Sequence, residues 1–298
     1  MVEIRVRGVF EHLLATIAWT SSCRRLNTAT DTGDWQEMNA LLRKFIFNDL
    51  QTVEGYIDPP DALVFLSLLQ AQKNGGMGGG IAEIGVFYGR SYYLMKKIVG
   101  DADRILAIDL FDLGEDSIGK PTQYQRFLDY GRRLGLSVDE DLIITGDSTG
   151  LRPSDITDRI GRTRFFSIDG GHMLEHVVSD TALATDTLEE HGIIAFDDTF
   201  NPAWPEVTVG VADFLRERKD TFTAFCMTKY KTYVCRREYH DFYYRAISDA
   251  PDLAAFRHVD TQFLGSKTAR LHNPMGRRMV YELMVHAGMR GLSERVYR

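Results

Sequence analysis

FTAFCMTKYKTYVCRR, Phe222 to Arg237, holds two apolar runs separated only by Lys229 and Tyr230. Two residues cannot carry a parallel crossover, so the runs predict an antiparallel hairpin. Upstream the pattern differs. The runs IAEIGVF (81–87), RILAIDLF (104–111), DLIITGD (141–147), RFFSIDG (164–170) and GIIAFDD (192–198) alternate with helical text such as Ser91 to Val99, Thr122 to Leu134 and Met173 to Glu190. Such alternation predicts five parallel strands with helices on both faces. The expected fold class is α/β: a doubly wound, mostly parallel seven-stranded sheet with a terminal antiparallel hairpin and helical additions at both ends.

The additions read as follows. From Met1 to about Asn74 the periodicity is helical; Asp34 with Glu37 has capping-box spacing before a helix near Trp35 to Asp49, and Asp58-Pro59-Pro60 opens another. NGGMGGG, Asn74 to Gly80, cannot continue a helix cheaply, since each Gly costs about 1 kcal/mol relative to Ala there. After Arg237 the text turns helical again, most clearly in NPMGRRMVYELMVHAG (273–288). The expected organisation is a helical leader (1–74), a core (75–237) and a helical C-terminal extension (238–298).

Composition narrows the function classes. With 298 residues, 35 basic against 42 acidic and a net charge of -7, the chain has no electrostatic grip on a phosphate backbone, so nucleic acid is not the expected partner. Three cysteines, Cys23, Cys226 and Cys235, fit neither a disulfide framework nor a thiolate zinc site. No run approaches the ~20 apolar residues that cross a bilayer, and the N-terminus lacks a signal-peptide cleavage site. A cytoplasmic protein is expected, without a membrane partner.

In an open parallel sheet, ligands bind beyond the carboxyl ends of the strands. Three motifs lie there. EIGVFYGRS carries Glu83, Gly85, Gly89 and Ser91 at a strand-to-helix turn, where missing side chains let backbone approach a ligand; its G-x-x-x-G spacing is not the G-x-G-x-x-G of dinucleotide binders. AIDLFD places Asp109, with Asp112 as a competitor, where an acid can accept from ribose hydroxyls. ITGDS places Asp147 and Ser148 after the third strand, suited to a base or to a plain Asx turn.

Two further runs end in acids: Asp169 closes RFFSID, and Asp197 with Asp198 closes GIIAFDD. Paired strands lie about 4.8 Å apart, so three carboxylates crowd one point and repel unless a cation or protons neutralise them. A hard divalent ion such as Mg2+ suits such oxygens, and would lower a bound hydroxyl's pKa while orienting it.

The motifs in this order resemble those of class I S-adenosylmethionine-dependent methyltransferases, over about residues 58 to 237. The resemblance implies a Rossmann-like methyltransferase core in which Glu83, Gly85 and Gly89, with Ser91 beside them, line the methionine and ribose of S-adenosylmethionine, Asp109 holds the ribose, and Asp147 with Ser148 lies beside the adenine. IDGGH followed by a helix and then DD is similar to the macrocin and aminocoumarin sugar O-methyltransferases, and implies Mg2+ at Asp169, Asp197 and Asp198. Where those enzymes carry a further acid, this chain has Gly171 and then His172, whose imidazole can take a hydroxyl proton. His172 and Asp169 are thus the expected catalytic residues, and the expected partner is a small-molecule acceptor, a sugar or other natural product. A homo-oligomer is the expected state.

Plainer readings stand beside these. Asp169 could cap the following helix, Asp197 and Asp198 could form a solvated turn, His176 reads as a helix-face residue and His191 as a helix end. Trp204, in a Pro-rich loop, could wall an acceptor pocket or pack on the next helix. A metal-independent transferase acting on nitrogen or oxygen, a nicotinamide oxidoreductase and a non-catalytic binding protein are the rival functions.

Overall fold

Seven apolar runs long enough for one strand and too short for a helix, joined by two short polar strands, settle into a single nine-stranded sheet, in the order β3-β2-β1-β4-β5-β7-β6-β9-β8. The computed structural model describes residues 31–111 and 121–297. Cys23, Asp112 and the N-terminal leader up to residue 30 lie outside the described residues. Those described fall into two compact units divided after Arg43, and the sheet and its clefts belong to the second.

The strands are β1 (Gly80–Ile84), β2 (Ile105–Asp109), β3 (Ile143–Thr145), β4 (Thr163–Ile168), β5 (Leu188–Phe196), β6 (Phe222–Met227), β7 (Thr232–Arg236), β8 (Thr261–Phe263) and β9 (Ser266–Arg270). β3, β2, β1, β4 and β5 pair in parallel, and β7 enters antiparallel to β5. The helices are α1 (Asp31–Lys44), α2 (Pro59–Asn74), α3 (Arg90–Val99), α4 (Gln123–Leu134), α5 (Pro153–Ile160), α6 (Leu174–Thr187), α7 (Pro205–Glu217), α8 (His240–Ser248), α9 (Met275–His286) and α10 (Arg290–Ser293). None of the described helices is long and apolar enough to cross a membrane.

Side chains alternate across the sheet, and both faces are dry. On one face Phe65 of α2 meets Phe165 at 5.0 Å and Tyr233 at 6.2 Å between ring centroids. On the other, Ile84, Phe166, Ile168 and Ile194 pack with Ile156, Val177, Val207 and Val211 from α5, α6 and α7. Each large apolar side chain buried this way contributes about 1.5–3 kcal/mol.

Register positions the site. Ile84 is level with Ile108 and with Ile168, and Ile168 is level with Phe196. The residues that follow, Gly85, Asp109, Asp169 and Asp197, therefore emerge side by side. Hydrogen bonds carry the ladder this far: Gly85 N–H donates to Ile108 at 2.8 Å, Asp169 N–H to Ile84 at 2.9 Å and Asp197 N–H to Ile168 at 2.9 Å. Between β1 and β4 the strand order reverses, which opens a crevice.

Three expectations need correction. The sheet has nine strands, not seven, because β8 and β9 form a hairpin that adds to β6. Their sequences, TQF and SKTAR, are short and polar, so no apolar run marks them, and the stretch after Arg237 is not helical throughout. β5 starts at Leu188, so His191 is a strand residue and not a helix end; its Nε2 pairs with the Gly78 carbonyl at 2.8 Å. The helix expected to reach Asp49 ends at Lys44, and Phe45–Asp49 forms a π-helical turn.

Gly85 is fixed by a close approach. Its φ is +82°, and a Cβ there would lie 1.8 Å from the carbonyl oxygen of Asp169. Gly76 has a similar φ of +67° with nothing within 4 Å. Gly76→Ala should cost about 1–2 kcal/mol from left-handed backbone alone, whereas Gly85→Ala adds a collision and should cost on the order of 4 kcal/mol. Urea unfolding of the two variants checks this; equal losses would mean that the approach of β1 to β4 does not constrain Gly85.

Candidate active site

The crevice at the strand ends is a cleft of about 500 Å3. Of the residues expected to meet a cofactor, Gly85, Ser91, Asp109, Asp147 and Ser148 line it. Glu83 and Gly89 are not on its wall. Gly89 (φ +88°) sits where a Cβ would lie 2.5 Å from the Tyr93 ring and 2.7 Å from that of Phe127, so packing requires it.

Asp109 ends β2 and ties two loops together. Its Oδ2 accepts from Phe87 N–H at 2.8 Å, and its Oδ1 from Phe111 N–H at 2.9 Å and Gln123 Nε2 at 3.1 Å. Phe87 and Phe111 hold φ of 51° and 53° to do so, a strain of about 1–3 kcal/mol each that the carboxylate offsets. Asp147 Oδ1 accepts from the Thr149 N–H at 2.9 Å and its hydroxyl at 2.8 Å. These bonds, the backbone one first, hold its pKa below the usual range. It forms the Asx turn weighed above and still borders the cleft. His176 also lines the cleft, with Nδ1 buried and unpartnered among the described residues.

The acids after β4 and β5 do not stand as a bare trio. Asp197 Oδ1 accepts from the Asp198 N–H at 2.8 Å, and its Oδ2 takes a short contact from the Lys231 ammonium. Lys231 is buried; burial works against its charge, yet Asp197, Asp169 and Asp61 outweigh that and raise its pKa. Asp169 is pushed well above the carboxylate range, by burial first and by Asp197 second, with Lys231 opposing.

Asp198 belongs to a separate arrangement. Its Oδ2 meets His172 Nε2 at 2.9 Å and its Oδ1 accepts from Asn201 Nδ2 at 2.6 Å. Burial raises its pKa, but these two partners outweigh burial and leave it lowered. The His172 ring stacks on Trp204, with centroids 4.2 Å apart and planes within 16°. Donor atoms of Asp169, His172 and Asp198 all lie within 4.8 Å of one another, close enough to share a metal ion. Asp197, expected in that set, is turned to Lys231 instead.

A second cavity of about 960 Å3 adjoins the cleft. Arg90, Asp169, Asp198 and Trp204 line both. Its far wall comes from α9 and α10, with Tyr281, Glu282, Val285 and Arg290. Lys231, Asp61, Gln123 and Arg90 went unnoticed in the sequence reading. Lys231 looks like a solvated turn residue and Asp61 like a first-turn helix acid, so neither carries a local signal.

Residues 82–199 match the family model described as a methyltransferase domain. Over those residues the match bears out the methyltransferase resemblance read from the motifs. No curated protein sequence matches the chain. Among solved structures it is similar to the O-methyltransferase NovP, at 17% identity and a TM-score of 0.44 over 59% of this chain and 79% of that one. It is also similar to CalS11, a TDP-rhamnose 3'-O-methyltransferase of calicheamicin biosynthesis, at 16% identity and a TM-score of 0.47 over 71% of this chain and 96% of the other. A third is the MycE methyltransferase of mycinamycin biosynthesis with Mg, SAH and mycinamycin VI, at 16% and 0.39 over 57% and 46%. At such identity and score they say nothing of this chain's substrate.

Glu83 lies fully buried in β1, and burial, opposed by the Ser91 hydroxyl, Lys231 and the Ser167 hydroxyl, pushes its pKa up to about 7; burial likewise pushes Asp61 up to about 7. The unfolded chain loses these protons near the ordinary 4.5 and 3.8 while the folded chain keeps them to about 7, so stability falls as pH rises across that interval. Glu83→Gln removes one such loss. Its stability relative to the parent should rise by on the order of 3 kcal/mol between pH 4 and pH 8. Denaturation profiles that stay parallel across that range would contradict the assignment.

Proposed function

We propose that the domain is an S-adenosylmethionine-dependent O-methyltransferase, with the donor in the cleft of Gly85, Asp109 and Asp147 and a small hydroxylated acceptor, a sugar or other natural product, in the adjoining cavity. The observation that carries this is the His172–Asp198 pair, in which Asp198 lines both cavities and His172 lines the cleft. We infer a cytoplasmic homo-oligomer acting on a dissolved acceptor, with the segments on either side of 75–237 shaping the acceptor pocket.

The fit of the donor rests on the cleft's size and its acids. A volume of about 500 Å3 lies within the 300–1,000 Å3 usual for a small-molecule site. Asp109 keeps about one acceptor site for a ribose hydroxyl after its three bonds, since a carboxylate has about four. Glu83 and Gly89 would act from behind, one beneath Ser91 and one by closing α3 onto the strand end. When bound, S-adenosylmethionine supplies an electrophilic methyl group on a sulfonium.

His172 then has a defined task. Asp198 accepts a hydrogen bond from Nε2–H, which selects the tautomer with its lone pair on Nδ1. Stacking on Trp204 restrains the ring. The acceptor oxygen attacks the methyl carbon as the carbon–sulfur bond breaks, the sulfur keeps that electron pair, and the hydroxyl proton passes to Nδ1. Asp169 borders the same point from β4, where it can accept a hydrogen bond from a neighbouring hydroxyl of the acceptor and hold the reacting oxygen in line. Lys231 occupies Asp197 Oδ2 and so keeps it from competing for that hydrogen.

A second reading adds a divalent metal, favoured by the donor atoms of Asp169, His172 and Asp198 gathered within 4.8 Å. Such an ion would polarise the acceptor hydroxyl. The imidazole would then be a ligand and not a base, and the set would suit a transition ion better than an all-carboxylate one.

Steady-state kinetics with S-adenosylhomocysteine calorimetry tests the first reading. His172→Ala should lower kcat by about 10²–10⁴-fold, with S-adenosylhomocysteine affinity retained, and Asp198→Asn should lower kcat by at least about tenfold through loss of the tautomer. Turnover within twofold of the parent in both would sink the base assignment. Full chelation should leave activity intact; activity lost on chelation and restored by Mn2+ or Mg2+ would favour the metal reading instead.

A further inference from the structure

The second cavity also holds cations that methyl transfer does not require. Arg90, at the start of α3, donates from Nη1 to the Gly55 carbonyl at 2.7 Å and from Nη2 to Gln51 Oε1, and its Nε is buried without a partner. Arg290, in α10, has a buried, unpartnered Nε and no ion pair with a carboxylate among the described residues. The Tyr281 hydroxyl is likewise buried and unpartnered, on a side chain only 6% exposed. All three residues line the cavity.

The nearby acids are already engaged. Asp58 and Glu282 both pair with Arg278, at 3.4 Å and 2.8 Å. The two other guanidiniums feel each other: after burial, Asp58 and Tyr281 have acted on Arg90, the charge of Arg290 further lowers its pKa. Both act on the Tyr281 hydroxyl. Buried donors without acceptors cost about 1–3 kcal/mol each, and paired arginines satisfy a phosphate or carboxylate through charge-assisted bonds.

We propose that Arg290, Arg90 and Tyr281 form the recognition point for an anionic group, phosphoryl or carboxylate, carried by the acceptor. This rests on reading the cavity as the acceptor pocket. The acceptor class is then a hydroxylated small molecule bearing an anion away from the methylated oxygen. Binding of the anion relieves the repulsion between the two guanidiniums and gives the tyrosine hydroxyl an acceptor. It also fixes which hydroxyl of a polyhydroxylated molecule reaches His172.

Thermal melting of the full chain tests the proposal, with sodium pyrophosphate or sodium citrate titrated at ionic strength held constant by sodium chloride. S-adenosylhomocysteine is kept saturating, so that its own carboxylate is accounted for. One of the anions should raise the melting temperature saturably. Arg290→Ala should weaken that response at least tenfold and Tyr281→Phe by a smaller factor, with the S-adenosylhomocysteine shift unchanged in both. A pyrophosphate response assigns a phosphoryl group and a citrate response a carboxylate. No saturable response to either, or one that Arg290→Ala and Tyr281→Phe leave intact, overturns the proposal. If S-adenosylhomocysteine gives no shift, the donor reading fails, while the same titrations without it still decide whether the anion point exists.

Discussion

The site depends on a register. β1, β2, β4 and β5 end level with one another, and the ladder of hydrogen bonds runs one residue past their last apolar side chains. Slipping one strand by one residue would turn its buried set to the opposite face, so the core that packs Ile84, Ile108, Ile168 and Phe196 also fixes where Gly85, Asp109, Asp169 and Asp197 emerge. Apolar packing, worth far more in sum than any polar contact at the cleft, thereby forces acids together that would otherwise separate.

The terminal hairpin resolves the resulting charge problem. β7 runs antiparallel to β5, so its first residue, Thr232, is level with Phe196, the last residue of β5. Lys231, one residue earlier, therefore arrives beside Asp197. A parallel strand in that place would bring its carboxyl end there and leave Lys231 at the far edge of the sheet. The ammonium also acts on Asp61, Asp169, Glu83 and Asp198, so a single buried cation moderates five acids. Two of those, Asp61 and Glu83, are nonetheless pushed up to about 7 by burial, which shows desolvation outweighing one shared charge.

Much of this architecture is legible in the sequence for a physical reason. Parallel strands are buried on both faces and so read as unbroken apolar runs, and two residues between Met227-Thr228 and Lys231-Thr232 leave only a hairpin. β8 and β9 escape because they are short and polar and lie at the margin of the sheet, with β8 as its edge. The acids at strand ends are visible because an apolar run ending in Asp169 or Asp197 stands out. Their partners are not: Lys231 is 34 residues from Asp197 in sequence and Asp198 is 26 from His172, so which acid takes which cation follows from strand direction and side-chain reach, neither of which is a local pattern. Asp197 pairing with Lys231 while Asp198 pairs with His172 is the case in point, since the two neighbours look alike in the chain.

That division sets the polarity of the larger cavity. Asp198 holds φ of 55°, a left-handed conformation that aspartate tolerates, and so turns away from Asp197 toward His172 and Asn201. Its lowered pKa keeps it an acceptor at neutral pH. Asp169 and Arg90 line both cavities with it, while Arg290, from α10, lines the larger cavity alone. An elongated molecule with a hydrogen-bond donor at one end and a negative charge at the other meets complementary groups in one orientation and like charges in the reverse, a discrimination that fixes direction more than it adds affinity. Orientation, in a reaction that transfers a single carbon along one line, is the larger part of what a protein can contribute.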